Sequence, residues 1–277
     1  MAEYLNRAFS VKFDFKNFTE LVLHGEKNFP GARAQRFFGD HVDFIGQMSI
    51  IYLVVIFGLQ KIMENQKAFD LKLPLAFWNL FLAIFSLCAF VRIIPEFFSV
   101  LFTEGLFDTY CYAYSYTSGQ SGYWAYLFMI SKLFEFVDTI FIVLRKRPLI
   151  FLHWYHHVLT FIYTWMGHIT NPGYSRYGAI INSFVHSIMY TYYFSKTMDI
   201  QVPRFMSKCL TRLQISQFVI SLAMLVHLFI AINFQGANCD MDWKAYSMAL
   251  FIDVTYMFLF IQFFIQSYTK DTKKKTV

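Results

Sequence analysis

The sequence predicts an all-α, polytopic membrane protein with seven transmembrane helices. Two observations carry this. Of the 277 residues, 57% are hydrophobic and only 15% are charged, against about 25% charged in soluble domains. The apolar residues also gather in runs close to the ~20 residues that a spanning helix needs. A bilayer accommodates that much apolar surface, whereas a soluble fold of this length has nowhere to hide it.

Taken in order, the seven runs lie near 42–59, 74–101, 124–144, 149–166, 178–195, 212–234 and 246–268. The fourth and fifth are short and polar for helices that face lipid, so they are expected to line an interior. The first 40 residues are polar and aromatic, with no basic start leading into an apolar run, so the first span is expected to act as the signal. The chain thus divides into an N-terminal tail (1–41), a transmembrane domain (42–268) and a C-terminal tail (269–277).

Basic loop residues select the orientation. Lys61, Lys67 and Lys72 follow the first span, and Arg145, Lys146 and Arg147 the third. Lys196, Arg204, Lys208 and Arg212 follow the fifth, and Lys270, Lys273, Lys274 and Lys275 the seventh. The alternate loops hold only Arg176 and Lys244. The first set therefore reads as cytosolic and the N-terminus as luminal. Asn17-Phe18-Thr19 is a glycosylation acceptor, usable only in the lumen. Cys111 and Cys239 fall in luminal loops, where a disulfide persists. Lys274 and Lys275 form a cytosolic dilysine pattern for retrieval to the endoplasmic reticulum. Cys88 reads as a buried thiol and Cys209 as a cytosolic one. The net charge of +6 sits in these short clusters. That placement suits lipid headgroups and a phosphorylated substrate, and argues against nucleic acid.

Ionisable groups inside spans are costly and mark functional sites. The fourth span holds His153, His156 and His157, whose i, i+3, i+4 spacing puts three imidazoles on one helix face. The third holds Lys132, Glu135, Asp138 and Thr139 on one broad face, and the fifth holds Asn182, His186 and Tyr190 at a spacing of four. Gln214 and Gln217 open the sixth. Counted from the cytosolic ends at about 1.5 Å per residue, Asp138, Glu135, His156, His157 and His186 reach one level. Separate helices thus deliver imidazoles, carboxylates and amides to a slab open toward the cytosol.

Imidazole at that level serves as base, acid or nucleophile. The HxxHH spacing also occurs in membrane di-iron oxygenases, where about eight ligands are needed. Here only four of eight histidines cluster: His24 and His41 lie in or beside the N-terminal tail, His168 is luminal and His227 lies deep in the sixth span. No metal is therefore expected, although a di-iron desaturase or hydroxylase stays open as an alternative. A seven-helix receptor or transporter is a third class; the cytosolic position of the slab and the short basic loops stand against it.

Four segments then matter together: Lys132 to Thr139 (KLFEFVDT), His153 to His157 (HWYHH), Asn182 to Tyr190 (NSFVHSIMY) and Leu213 to Phe218 (LQISQF). In them, from the third span to the seventh, the sequence resembles the very-long-chain fatty acid elongase (ELO) family. The resemblance implies a 3-ketoacyl-CoA synthase that joins acyl-CoA to malonyl-CoA with loss of carbon dioxide. It implies six of the seven helices enclosing an acyl-chain tunnel and a disulfide between Cys111 and Cys239. It further implies no tightly bound cofactor and cooperation with the reductases and dehydratase of the cycle, and it leaves a homodimer open.

On this reading His156 attacks the acyl thioester, and His186 assists as base or second acyl-contacting group. His153, His157, Glu135 and Asp138 orient the imidazoles, with Lys132, Asn182, Tyr190, Gln214 and Gln217 in support. Arg145, Lys146, Arg147, Lys208 and Arg212 are the candidates for the CoA phosphates. Plainer roles compete. Glu135 and Asp138 pair with Lys132 inside one helix, Arg92 pairs with Glu96 four residues on, and His227 is a packing histidine. Asp253 and Gln262 either line the tunnel or hydrogen-bond between helices.

Overall fold

The structure, a computed structural model, describes residues 15–268. The dilysine at Lys274 and Lys275 lies outside the described residues, as does the side chain of Asn17, whose backbone is helical. Eleven helices and no strands occur among the described residues. They are α1 (Phe15–Lys27), α2 (Gly31–Asp40), α3 (Asp43–Met63), α4 (Lys72–Thr103), α5 (Asp108–Cys111), α6 (Gly119–Phe134), α7 (Phe136–Leu144), α8 (Phe151–Thr170), α9 (Ser175–Thr197), α10 (Arg204–Phe234) and α11 (Trp243–Tyr268).

The seven expected runs all fold as helix. Four of them, α3, α4, α10 and α11, are long and apolar enough to cross a membrane by length and composition. The others depart because their polar residues are spent on the interior. The third expected span is divided at Glu135, which ends α6 and starts α7. There the hydrogen bonding tightens from Glu135 N–H to Ser131 O, at 2.8 Å, to Asp138 N–H to Glu135 O, at 3.1 Å. Such a local i→i+3 step within a helix often marks a functional position. At the other end of α8, Asn171 adopts a left-handed φ of 47° and stops the helix.

The packing closes on itself: α4 contacts α6, α6 contacts α8, α8 contacts α11, α11 contacts α10, α10 contacts α9, and α9 returns to α4 through the most extensive interface. α3 rests against α7 and α8. Arg145, Arg147 and Lys196 come together at one end of this body, the basic end; the other end carries the Cys111–Cys239 disulfide (Cα–Cα 4.7 Å).

The disulfide end is built from polar contacts that sequence spacing did not anticipate. α1 packs on α6, and α2 on α8 and α6, so the described part of the expected N-terminal tail belongs to the body. Arg92 does not pair with Glu96. It pairs with the buried Glu26 of α1, which also accepts from Trp124 Nε1 at 2.6 Å. Glu96 instead receives Arg176 in a two-pronged contact, Nε at 2.7 Å and Nη2 at 2.8 Å. Arg176, expected in a loop, is a fully buried residue of α9 that also donates to the carbonyls of Thr109, Tyr112 and Ala113. The i, i+4 pair gave way because partners from other elements offered planar, two-pronged geometry to both side chains. Nearby, Gly173 N–H donates to Asp240 O, and Asp240 N–H donates to Cys111 O. A Cβ at Gly173 would stand 2.6 Å from the Cys111 carbonyl carbon, so only glycine allows this approach.

Candidate active site

The α8 helix starts after the extended Ile150, and its first two turns carry the three box histidines. Their spacing brings the His153 and His157 rings to 4.5 Å and the His156 and His157 rings to 5.7 Å. Hydrogen bonds from α7 and from α8 itself reach two of these rings. Tyr52 of α3 shares a 2.7 Å hydrogen bond with Thr139 of α7, and Thr139 shares one of 3.0 Å with His153 Nε2. Thr160 sits 3.5 Å from His156 Nδ1 and 3.1 Å from the hydroxyl of Tyr256, which donates to His156 O at 2.9 Å. The Tyr256 ring lies 4.7 Å from the imidazole of His156.

The carboxylates have separate functions. Lys132 Nζ donates to Glu135 Oε1 at 2.7 Å and to Asn182 Oδ1 at 2.8 Å, with the ring of Phe128 at 4.4 Å. Lys132 and Glu135 are 2% and 3% exposed. The pair therefore exists in a place where neither ion survives alone. Asp138 is not its third member. Trp78 Nε1 of α4 donates to it at 2.6 Å, and the Tyr190 hydroxyl of α9 at 2.7 Å. His186 Nδ1 stands 3.6 Å from Glu135 Oε1, too long for a hydrogen bond, and is buried with no hydrogen-bond partner.

Two cavities meet at these rings. A chamber of about 560 Å³ opens at the basic end, within the usual 300–1,000 Å³ of ligand pockets. His153, His156, His157, His186, Asp138, Tyr190, Gln214 and Gln217 all line it. A second cavity runs toward the disulfide end, and Asn182 lines it. His156 and Gln217 line both. The sequence-derived cluster is thus brought to one level, with Lys132 and Glu135 packed beside it.

The basic candidates divide. Arg145 and Arg147 line the chamber. Lys146 does not; its Nζ donates to the carbonyls of Glu64 and Gln66, each at 3.1 Å, and so fastens the loop after α3. Lys208 and Arg212 stand over the rings of Tyr268 and Phe264, at 5.9 Å and 5.6 Å. Consecutive basic residues point in different directions, so adjacency in sequence does not make a phosphate cradle. Lys196 lines the chamber instead. It was visible as a basic residue after the fifth span, but nothing in the sequence aimed it inward. Trp78, Tyr52 and Tyr256 were missed because each reaches the site from a helix other than those carrying the histidines, whereas Thr160, four residues after His156 on α8, was within reach of helical spacing.

The remaining expectations resolve as follows. Asp253 accepts from Ser221 and lines the second cavity, whereas Gln262 is exposed. His227 shares a 2.5 Å hydrogen bond with the Tyr110 hydroxyl, as a satisfied packing histidine would. Cys88 is half-buried rather than buried, and Cys209 is exposed. Among the described residues, no group of three or more His, Cys, Asp or Glu side chains is arranged to hold a metal ion.

The same residues fall within a stretch matched by a known family. Residues 37–276 match the model of the ELO: GNS1/SUR4 family. The chain is 50% identical over 264 residues to long chain fatty acid elongase 1 of Caenorhabditis elegans, covering 95% of this chain and 92% of that protein. It is 36% identical over 262 residues to very long chain fatty acid elongase 6 of Drosophila melanogaster, covering 94% and 80%. It is 37% identical over 227 residues to very long chain fatty acid elongase 3 of Homo sapiens, covering 82% and 83%. These relatives are elongases, so the desaturase alternative is not favoured. The chain belongs to the ELO (GNS1/SUR4) family, and is a membrane-embedded fatty acid elongase.

Proposed function

We propose that this chain carries out the condensing step of elongation as a 3-oxoacyl-CoA synthase, with His156 as the nucleophile. The observation that carries the reading is the position of His156 at the junction of both cavities. A long-chain acyl-CoA enters with its headgroup in the basic chamber and its chain in the second cavity. The thioester carbonyl then lies at His156. Because Nδ1 is turned toward Thr160, Nε2 is the attacking atom. The C–S bond breaks, CoA leaves as thiolate, and an acyl-imidazole remains. Malonyl-CoA next loses carbon dioxide, and the carbanion so formed attacks the acyl carbon. The C–N bond breaks, releasing 3-ketoacyl-CoA two carbons longer and free His156.

His186 meets the reacting acyl group from α9, where it lines the chamber, with its Nδ1 turned toward Glu135 at 3.6 Å. His153 and His157 orient His156, and Thr139 and Tyr52 fix His153 in turn. Lys132, Glu135, Asn182, Asp138 and Tyr190 brace the helices that carry the histidines. Arg145, Arg147 and Lys196 receive the CoA phosphates. No tightly bound cofactor takes part.

In this reading seven helices span the membrane of the endoplasmic reticulum, with α6 and α7 as one span. Six of them surround the acyl tunnel and α3 stands outside. The basic end is cytosolic, where CoA substrates and the reductases and dehydratase of the cycle meet it, and the disulfide end is luminal, with the N-terminus. The test is purified protein with malonyl-CoA and a panel of acyl-CoAs. Expected is a 3-ketoacyl-CoA product and one equivalent of carbon dioxide per turnover. Turnover without malonyl-CoA, or no product from any acyl-CoA, would end the proposal.

A further inference from the structure

We infer that the disulfide-side end of the second cavity is a binding site for a polar ω-terminus on the acyl chain, such as a terminal hydroxyl, with His168 as its hydrogen-bonding residue. This rests on the reading that the second cavity receives the acyl chain. A tunnel for a plain alkyl chain has no use for hydrogen-bonding groups at its far end, yet here Thr117, Thr164, His168 and Ser175 line it. His168 is 6% exposed, and its Nε2 is buried without a partner. The ring is fixed rather than free to turn away. It stands edge-on to Phe38 at 5.6 Å and lies 6.1 Å from Tyr126.

Two of the surrounding hydroxyl hydrogens, those of Thr164 and Ser175, are already committed. Thr164 Oγ1 donates to Thr160 O at 2.9 Å, and Ser175 Oγ donates to Pro172 O at 2.7 Å. Thr117 Oγ1 accepts from Asn171 Nδ2 at 3.2 Å. Their oxygens keep lone pairs, so the end of the cavity accepts hydrogen bonds. A ligand hydroxyl satisfies His168 Nε2 in either tautomer: it accepts from Nε2–H while donating its one hydrogen to one of these oxygens, or it donates that hydrogen to an unprotonated Nε2. A methyl terminus leaves Nε2 buried and unpaired, at the usual cost of an unmade hydrogen bond.

The distance sets the chain length. His156 and His168 are both on α8, twelve residues apart, which is about 18 Å at 1.5 Å per residue. An extended alkyl chain with ~1.5 Å bonds advances about 1.3 Å per carbon, so roughly 14 to 16 carbons separate the reacting carbonyl from His168.

The experiment compares hexadecanoyl-CoA with its ω-hydroxy analogue, each with malonyl-CoA and the purified full chain. His168→Leu and His168→Gln are assayed beside the wild type. The wild type is expected to elongate the ω-hydroxy chain, and the ratio of its kcat/KM to that of hexadecanoyl-CoA should fall about tenfold in His168→Leu. His168→Gln, which restores a hydrogen-bonding group, should recover part of that ratio. The hexadecanoyl-CoA rate of each variant reports whether it is folded. The inference is overturned if the wild type elongates only the unsubstituted chain, or if His168→Leu and wild type give the same ratio. Failure of the wild type with both substrates would instead remove the condensation reading beneath it.

Discussion

Lys132 and Glu135 form a buried ion pair beside the histidine cluster, with Glu135 Oε1 3.6 Å from His186 Nδ1. Taking one ion away leaves the other in apolar surroundings, which costs about 3–5 kcal/mol. Lys132→Met is therefore expected to lower the unfolding midpoint sharply in detergent, and Lys132→Met with Glu135→Leu to regain most of that loss. A single variant as stable as wild type would contradict the pairing. Tyr52 acts more subtly. Its hydroxyl is buried against Thr139, which in turn holds His153. Tyr52→Phe keeps the ring that stacks on Phe136 at 4.1 Å and removes one hydrogen bond worth ~1 kcal/mol. Steady-state kinetics should show kcat reduced about fivefold to tenfold with KM for acyl-CoA unchanged. An unchanged kcat would remove α3 from the account of the site.

At the level of elements, each helix was legible where apolar residues run unbroken, as in α3, α4, α10 and α11. The shared face of His153, His156 and His157 was legible too, because helical spacing fixes it, and depth counted from the span ends put His186 at the same level. Spacing does not tell which helix stands opposite. Arg92 therefore found Glu26 rather than Glu96, and Lys146 turned to the loop after α3 rather than to the chamber. The break at Glu135 left no trace in the sequence, since neither Gly nor Pro marks it. α1 and α2 were read as tail because short helices with one exposed face lack an apolar run. The join of α8 to α9 at Gly173 gives a direct test. Gly173→Ala drives a Cβ into the Cys111 backbone, and overpacking of this kind costs about 1–3 kcal/mol. Gly58→Ala in α3, with nothing within 4 Å of the new Cβ, serves as control. Thermal unfolding should show the first variant weakened and the second unharmed; equal midpoints would contradict the close approach.

For the whole molecule, the closed cycle of helices brings a polar chamber and a deeper cavity to the same ring of His156. Charge is distributed to match: Arg145, Arg147 and Lys196 sit around the chamber, while Lys208 and Arg212 cover aromatic rings beside it. Arg147→Gln should raise KM for acyl-CoA about tenfold, since a charge-assisted contact contributes ~1.5 kcal/mol or more. Lys208→Gln should leave KM unchanged. Initial rates at several acyl-CoA concentrations distinguish these, and the opposite ranking would move the phosphate site elsewhere.

The account turns on a covalent acyl group carried by one imidazole. Purified protein incubated with a long-chain acyl-CoA and no malonyl-CoA should gain the mass of one acyl group by intact mass spectrometry. Peptide mapping should assign it to His156, and addition of malonyl-CoA should discharge it as 3-ketoacyl-CoA. His156→Ala should gain nothing. An adduct on another residue, or condensation at the wild-type rate by His156→Ala, would contradict the assignment.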